Sequence, residues 1–110
     1  MAFKLIKRNK LAVTVKGTLP DDSGKQVNFD FKLHCKRLSQ DEIDVAMKDK
    51  KGDVKKFVRD VTEGWDGVLN EAGVAQDFTP EQFDELIDNV GMPVVIMHAY
   101  LEQVAAVAKN

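Results

Sequence analysis

Residues 61–101 read VTEGWDGVLNEAGVAQDFTPEQFDELIDNVGMPVVIMHAYL and hold the chain's single Trp, its clearest helix start and its most apolar helical stretch. Thr79 is followed three residues later by Gln82, with Pro80 between them, the pattern of a capping box with proline at the first helical position. Phe78 and Phe83 flank that cap as a hydrophobic staple. Phe83, Leu86, Ile87 and Val90 then recur at i, i+3, i+4 and i+7, which predicts one buried helix face, and Gly91 is placed to end the helix in the left-handed conformation. Pro93 can open a second helix whose apolar residues, from Val94 to Ala105, fall on more than one face. Such a helix needs cover on several sides, which suits a central packing element better than a surface.

Working back along the chain, GWDG and NEAG mark a turn-rich connector, and Trp65 within it is expected as a buried anchor, with a partner-binding hot spot as the alternative. Leu38-Ser39-Gln40-Asp41-Glu42-Ile43 repeats the capping logic: Ser39 caps, Glu42 closes the box and Leu38 can staple against Ile43. Ile43, Ala46 and Met47 predict one buried helical side, and Val54, Phe57, Val58 and Val61 another after the break DKKGD. Gly52 and Asp53 favour two helices over one, although the apolar positions stay in phase across the break and leave the boundary open.

Upstream the period changes from helical to two. Leu11, Val13, Val15, Gly17 and Leu19 alternate with smaller or polar residues, as do Val27, Phe29, Phe31, Leu33 and Cys35. PDDSG at 20–24 separates the runs, which predicts an antiparallel hairpin. Phe3 and Leu5 can add a third strand through the turn RNK. The expectation is a single α+β domain over 1–110. It has an N-terminal antiparallel β-hairpin region (1–37), of two or three strands, packed on a helical region (38–110) of about four short helices. A hairpin alone is marginal, so those helices must cover its apolar face.

The chain's 110 residues suit one modest core. Its apolar runs fall far short of the roughly 20 residues that span a bilayer, and Lys4, Lys7, Arg8 and Lys10 interrupt any signal-peptide core, so a cytoplasmic protein is expected. Cys35 is alone and sits in an alternating strand, which predicts a buried, reduced thiol. Charge is unevenly spread: residues 1–59 carry 15 Lys and Arg against 8 Asp and Glu, residues 60–110 carry 1 against 10, so the halves are about +7 and −9. Such halves can neutralise each other within one molecule or stack between subunits as a homo-oligomer.

No catalytic, metal or cofactor residues are assigned. His34 and His98 fall in different elements without further ligands at metal spacing, and no phosphate loop or nucleophile motif is present. Asp21-Asp22-Ser23-Gly24 has the composition of a hairpin turn and too few ligands for a calcium loop. Glu81, Asp84, Glu85 and Asp88 predict a solvated acidic strip on their helix. Lys48, Lys51, Lys55, Lys56 and Arg59 form a basic stripe if the helices run through Gly52. Interspersed Asp49, Asp53 and Asp60 and the absence of interleaved aromatics disfavour nucleic acid as its partner and favour an acidic protein surface.

The arrangement Trp65, Gly67, Val68, then Glu71 and Gly73, then Phe78, Thr79 and Glu81, then Ala99, Tyr100 and Leu101 resembles the tail assembly chaperones of long-tailed bacteriophages and prophages. FKLHCKRLSQDEI at 31–43 is similar to that family's passage into its first helix, so the likeness covers most of the chain. The resemblance implies a non-enzymatic protein, absent from the finished virion, that binds tail tube subunits and helps bring them to the tape measure protein. It also implies a longer frameshifted product, for which Ala108-Lys109-Asn110 could be encoded as a slippery A-AAA-AAC. The competing reading is a small structural tail-completion or joining protein of the virion. Candidate partner-binding residues are Val13 and Phe29 at the hairpin edge, Lys55 and Arg59 in the basic stripe, Trp65, and Tyr100 on the exposed side of the last helix. No nucleic acid and no membrane are expected as partners.

Overall fold

The computed structural model describes residues 2–48 and 53–108. Its elements run β1 (Lys10–Pro20), β2 (Gln26–Lys36), α1 (Gln40–Lys48), α2 (Val54–Val61), β3 (Thr62–Asp66), α3 (Pro80–Ile87) and α4 (Met92–Val104). The chain is thus α+β, a three-stranded antiparallel sheet in the order β1-β2-β3 with four helices.

The hairpin forms where the alternation places it, with Leu11 opposite Cys35, Val13 opposite Leu33 and Val15 opposite Phe31. Its turn is held by Asp21, whose carboxylate accepts the backbone N–H groups of Ser23 and Lys25 and the Ser23 hydroxyl. The Ser23 hydroxyl bond foremost, then the Lys25 N–H, holds this carboxyl below the usual range. Gly24 closes the turn at φ 85°, a conformation that carries no Cβ penalty only in glycine.

The third strand is a correction. Phe3 and Leu5 lie in 2–9, which has no regular structure, and the third strand is instead Thr62–Asp66, from the stretch read as connector. It follows α2 directly: Thr62 caps that helix with both its backbone N–H and its hydroxyl on the Val58 carbonyl. Between His34 and Cys35 the β2–β3 register shifts, and Glu63 is the extra residue. Such a bulge breaks period-two alternation, and Gly64 and Gly67 on either side of Trp65 resemble turn punctuation.

The Ser39 capping box forms in both directions, and at Thr79 the hydroxyl half of the expected box is made. Thr79 Oγ1 accepts Gln82 N–H at 3.1 Å, and Ser39 and Glu42 bond reciprocally at 3.2 and 3.0 Å. The Ser39 backbone N–H, then its hydroxyl, lowers the pKa of Glu42. Asp53 caps α2 through Lys56 N–H at 3.2 Å, so α1 and α2 are separate elements. The break at 49–52, with Gly52 and the stripe residue Lys51, lies outside the described residues, as do Lys109 and Asn110.

The core joins Val13, Val15, Phe31, Leu33 and Cys35 of the hairpin to Val58 and Val61, Trp65, Phe83 and Ile87, and Met92, Ile96 and Tyr100. Two helical expectations change. Val90 is 97% exposed because α3 ends at Ile87, so the fourth position of that face never reaches the core. Helix α1 buries no residue at all: Ile43 and Ala46 are half-buried and Met47 is exposed. Helix α4 buries Met92, Ile96 and Tyr100, one stripe at i, i+4 and i+8, with half-buried residues around it and Val94 exposed. No helix among the described residues is long and apolar enough to cross a membrane.

Candidate protein-binding surfaces

The open backbone of β1 and that at the end of β2 beyond β3 differ. On β1, Thr14 turns its backbone outward, and the Gln103 side chain of α4 accepts its N–H at 3.0 Å and donates to its carbonyl at 2.8 Å. One amide thereby takes the place of a neighbouring strand at the middle of the edge. Lys16 follows two residues on, and Pro20 has no N–H to offer, so this edge is blunted by familiar devices. Because Thr14 points outward, its cross-strand partner Lys32 points toward β3, and at period two so do the backbones of Asn28 and Asp30. Strand β3 pairs only with Lys32 to Cys35, which leaves the β2 edge from Gln26 to Asp30 without a strand among the described residues.

The apolar face at that end of the hairpin is incompletely covered. Val27 is 49% exposed, and Leu19 and Phe29 are half-buried. The Phe29 ring lies over Gly17, where an added Cβ would come within 2.6 Å of its tip, and stacks on Phe31 at 5.8 Å between centroids. Glycine at 17 therefore lets one aromatic ring do the covering that helices do elsewhere. The Cα radius of gyration, 15.5 Å, exceeds the roughly 13 Å of a compact chain near this size.

A second surface is a groove of about 1000 Å³ between α1 and α2. Its apolar side chains include Val45, Met47, Val54, Phe57 and Met97, and Asp41, Glu42, Asp53 and Asp60 add carboxylates beside Lys36 and Lys56. No sequence pattern announced it, since α1 has a helical apolar stripe that would ordinarily close onto the core.

The six candidate partner-binding residues are scattered rather than gathered. Val13 is fully buried in the sheet, and Phe29 is half-buried at the hairpin end. Lys55 and Arg59 face the acidic strip of α3: Lys55 Nζ lies 3.3 Å from Asp88 Oδ1, and Arg59 Nε donates to Asp84 Oδ1 at 2.8 Å. That Asp84 bond, with its charge, raises the pKa of Arg59 further. Basic stripe and acidic strip, read separately as a partner surface and a solvated face, thus meet within one molecule. Lys56 pairs with Asp60 at 3.2 Å on its own helix.

Trp65 is buried, edge-on to Phe78 at 5.2 Å and near Phe83 at 6.4 Å, with its indole N–H on the Gln76 carbonyl at 2.7 Å. It thereby anchors the connector, whose tip is closed by Asn70 accepting Ala72 and Val74 N–H groups. Tyr100 is not on the exposed side of α4 but fully buried. Its hydroxyl donates to the Lys36 carbonyl at 2.8 Å and accepts Leu38 N–H at 3.0 Å, holding the chain where it leaves the sheet for α1. Burial raises its pKa.

His34 Nε2 lies 2.7 Å from Asp66 Oδ2 on the exposed sheet face, a cross-strand pair. Cys35 is buried, 4.0 Å from the Thr62 hydroxyl, and burial pushes its thiol up to about 11, so it is a poor nucleophile at neutral pH. Among the described residues no group of three or more His, Cys, Asp or Glu is placed to hold a metal ion. Compared with protein-family models, curated proteins and solved structures, the chain matches none of them.

Proposed function

We propose that this chain is a tail assembly chaperone of a long-tailed bacteriophage or prophage, which holds tail tube subunits apart until they are delivered to the tape measure protein. The reading is supported by the residue pattern from Trp65 to Leu101 and by one structural observation. Among the described residues no strand pairs with the backbone of Asn28 and Asp30, beside the partly uncovered Val27 and Phe29. A client strand can add there, with main-chain hydrogen bonds supplying affinity and the apolar side chains supplying a pocket. Covering a client's own edge in this way blocks the edge from pairing with the next subunit. A contact that must later release calls for a modest interface rather than an obligate one.

The test is co-expression with the tail tube protein. The tube protein should stay soluble and unpolymerised with this chain and assemble or precipitate without it, and Val27→Asp should abolish the protection. A tube protein indifferent to this chain sinks the proposal. So does detection of the chain in purified particles by mass spectrometry, which would favour a structural tail-completion or joining protein.

A further inference from the structure

Segment 2–9, which precedes β1, carries Phe3, Leu5 and Ile6 interleaved with Lys4, Lys7 and Arg8, and all of these are exposed. Phe3 is 81% and Leu5 95% exposed, a poor resting place for large apolar side chains. The groove between α1 and α2 has the complementary character: an apolar lining that includes Val54, Phe57 and the exposed Val45, bordered by four carboxylates and two lysines. One of those lysines, Lys56, is already paired with Asp60. We propose that the groove receives segment 2–9 of a second copy of this chain, so that two molecules exchange these segments reciprocally.

Within its own chain the segment stands beside the groove without entering it. The Asn9 carbonyl accepts Arg37 N–H at 2.9 Å, which ties the segment's end to the sheet beside the start of α1. Lys7 lies close enough to add to the lowering of Glu42, after the Ser39 bonds. The segment thus stands at the rim of its own groove, yet a tight bend, with Ile6 N–H on the Lys4 carbonyl at 3.0 Å, accompanies Phe3 and Leu5 pointing into solvent. Exchange about a two-fold axis buries the same apolar residues twice and sets Lys4, Lys7 and Arg8 of each copy against Asp41, Asp53 and Glu42 of the other. It also gives α1, which buries nothing within its own chain, an apolar partner. Pairing through this groove leaves the hairpin end free, so it stands whether or not the hairpin receives tube subunits.

The test mixes full-length chains carrying Leu5→Cys with chains carrying Val45→Cys and oxidises them with diamide at micromolar concentration. Both positions are exposed, so the core is undisturbed, and buried Cys35 stays out of the reaction. The expected result is a mixed disulfide dimer in clear excess over a Leu5→Cys and Lys16→Cys mixture. A dimer should also be seen by sedimentation, with Phe3→Ser weakening it roughly tenfold or more. Three results overturn the proposal: no excess of the mixed dimer, a chain that sediments as a monomer throughout, or a Leu5→Cys/Val45→Cys double variant that closes only within its own chain.

Discussion

At the end of the molecule built by α2, α3 and α4, Trp65 and Tyr100 are buried with their polar atoms bonded to the carbonyls of Gln76 and Lys36, and Lys55 and Arg59 are paired with Asp88 and Asp84. At the hairpin's far end, Val27 is half exposed, Phe29 leans across a glycine for cover, and the backbone of Asn28 and Asp30 meets no strand among the described residues. The two ends draw on similar side chains, but only the first has helices on top of it. Aromatic and charged residues are therefore a weak guide to where a partner binds. The better guide is which backbone and apolar groups the fold leaves unanswered.

The contrast breaks most visibly if the packed end tolerates truncation. Tyr100→Ala removes a fully buried ring and its two hydrogen bonds and should cost about 3–5 kcal/mol in chemical denaturation, whereas Tyr100→Phe, which leaves Leu38 N–H without its acceptor, should cost about 1–3 kcal/mol. Cys35 gives a pH test of the same region. Below its ordinary value of 9.0 the thiol is protonated in both folded and unfolded chains. As pH rises toward about 11 the unfolded thiol ionises while the buried one resists, so stability is lost over that window. The decline should be on the order of 1–2 kcal/mol in alkaline melts. It should be reduced but not abolished by Cys35→Ala, because Tyr100 is shifted in the same direction.

A smaller effect separates the β1 edge from the open end of β2. Gln103→Ala should cost about 1 kcal/mol and, by hydrogen exchange, deprotect the Thr14 amide, converting the guarded β1 edge into one like that of β2. Val27→Asp should change stability by no more than about 0.5 kcal/mol while removing the protection of tube protein, the reverse of what Tyr100→Phe should do. Least of all is expected from the α2–α3 ion pairs. A double-mutant cycle on Arg59 and Asp84 should show a coupling that shrinks with added salt, because both side chains are about half exposed.

Much of this architecture was readable from short-range pattern. The hairpin follows from Val13, Val15, Phe31 and Leu33 alternating on either side of a Pro-Asp-Asp-Ser-Gly turn, and α1 and α3 begin where Ser39 and Thr79 cap them. These features are legible because each depends on residues only a few positions apart, through periodicity or one side chain reaching its own backbone. The third strand was hidden because the bulge at Glu63 interrupts its alternation and two glycines surround its Trp. The burial of Tyr100 was hidden for another reason, since every face of α4 carries apolar residues and nothing local says which will meet β2.

Composition and spacing thus settled the hairpin, the capped starts of α1 and α3 and the presence of opposite charge on two helices, but not the third strand. Tertiary folding alone decided that Arg59 would meet Asp84 25 residues away, that Gln103 would close the β1 edge at Thr14, and that α1 would stay off the core. Contacts of that kind depend on how elements pack around one another in space, and side-chain period within one element carries no record of its neighbour.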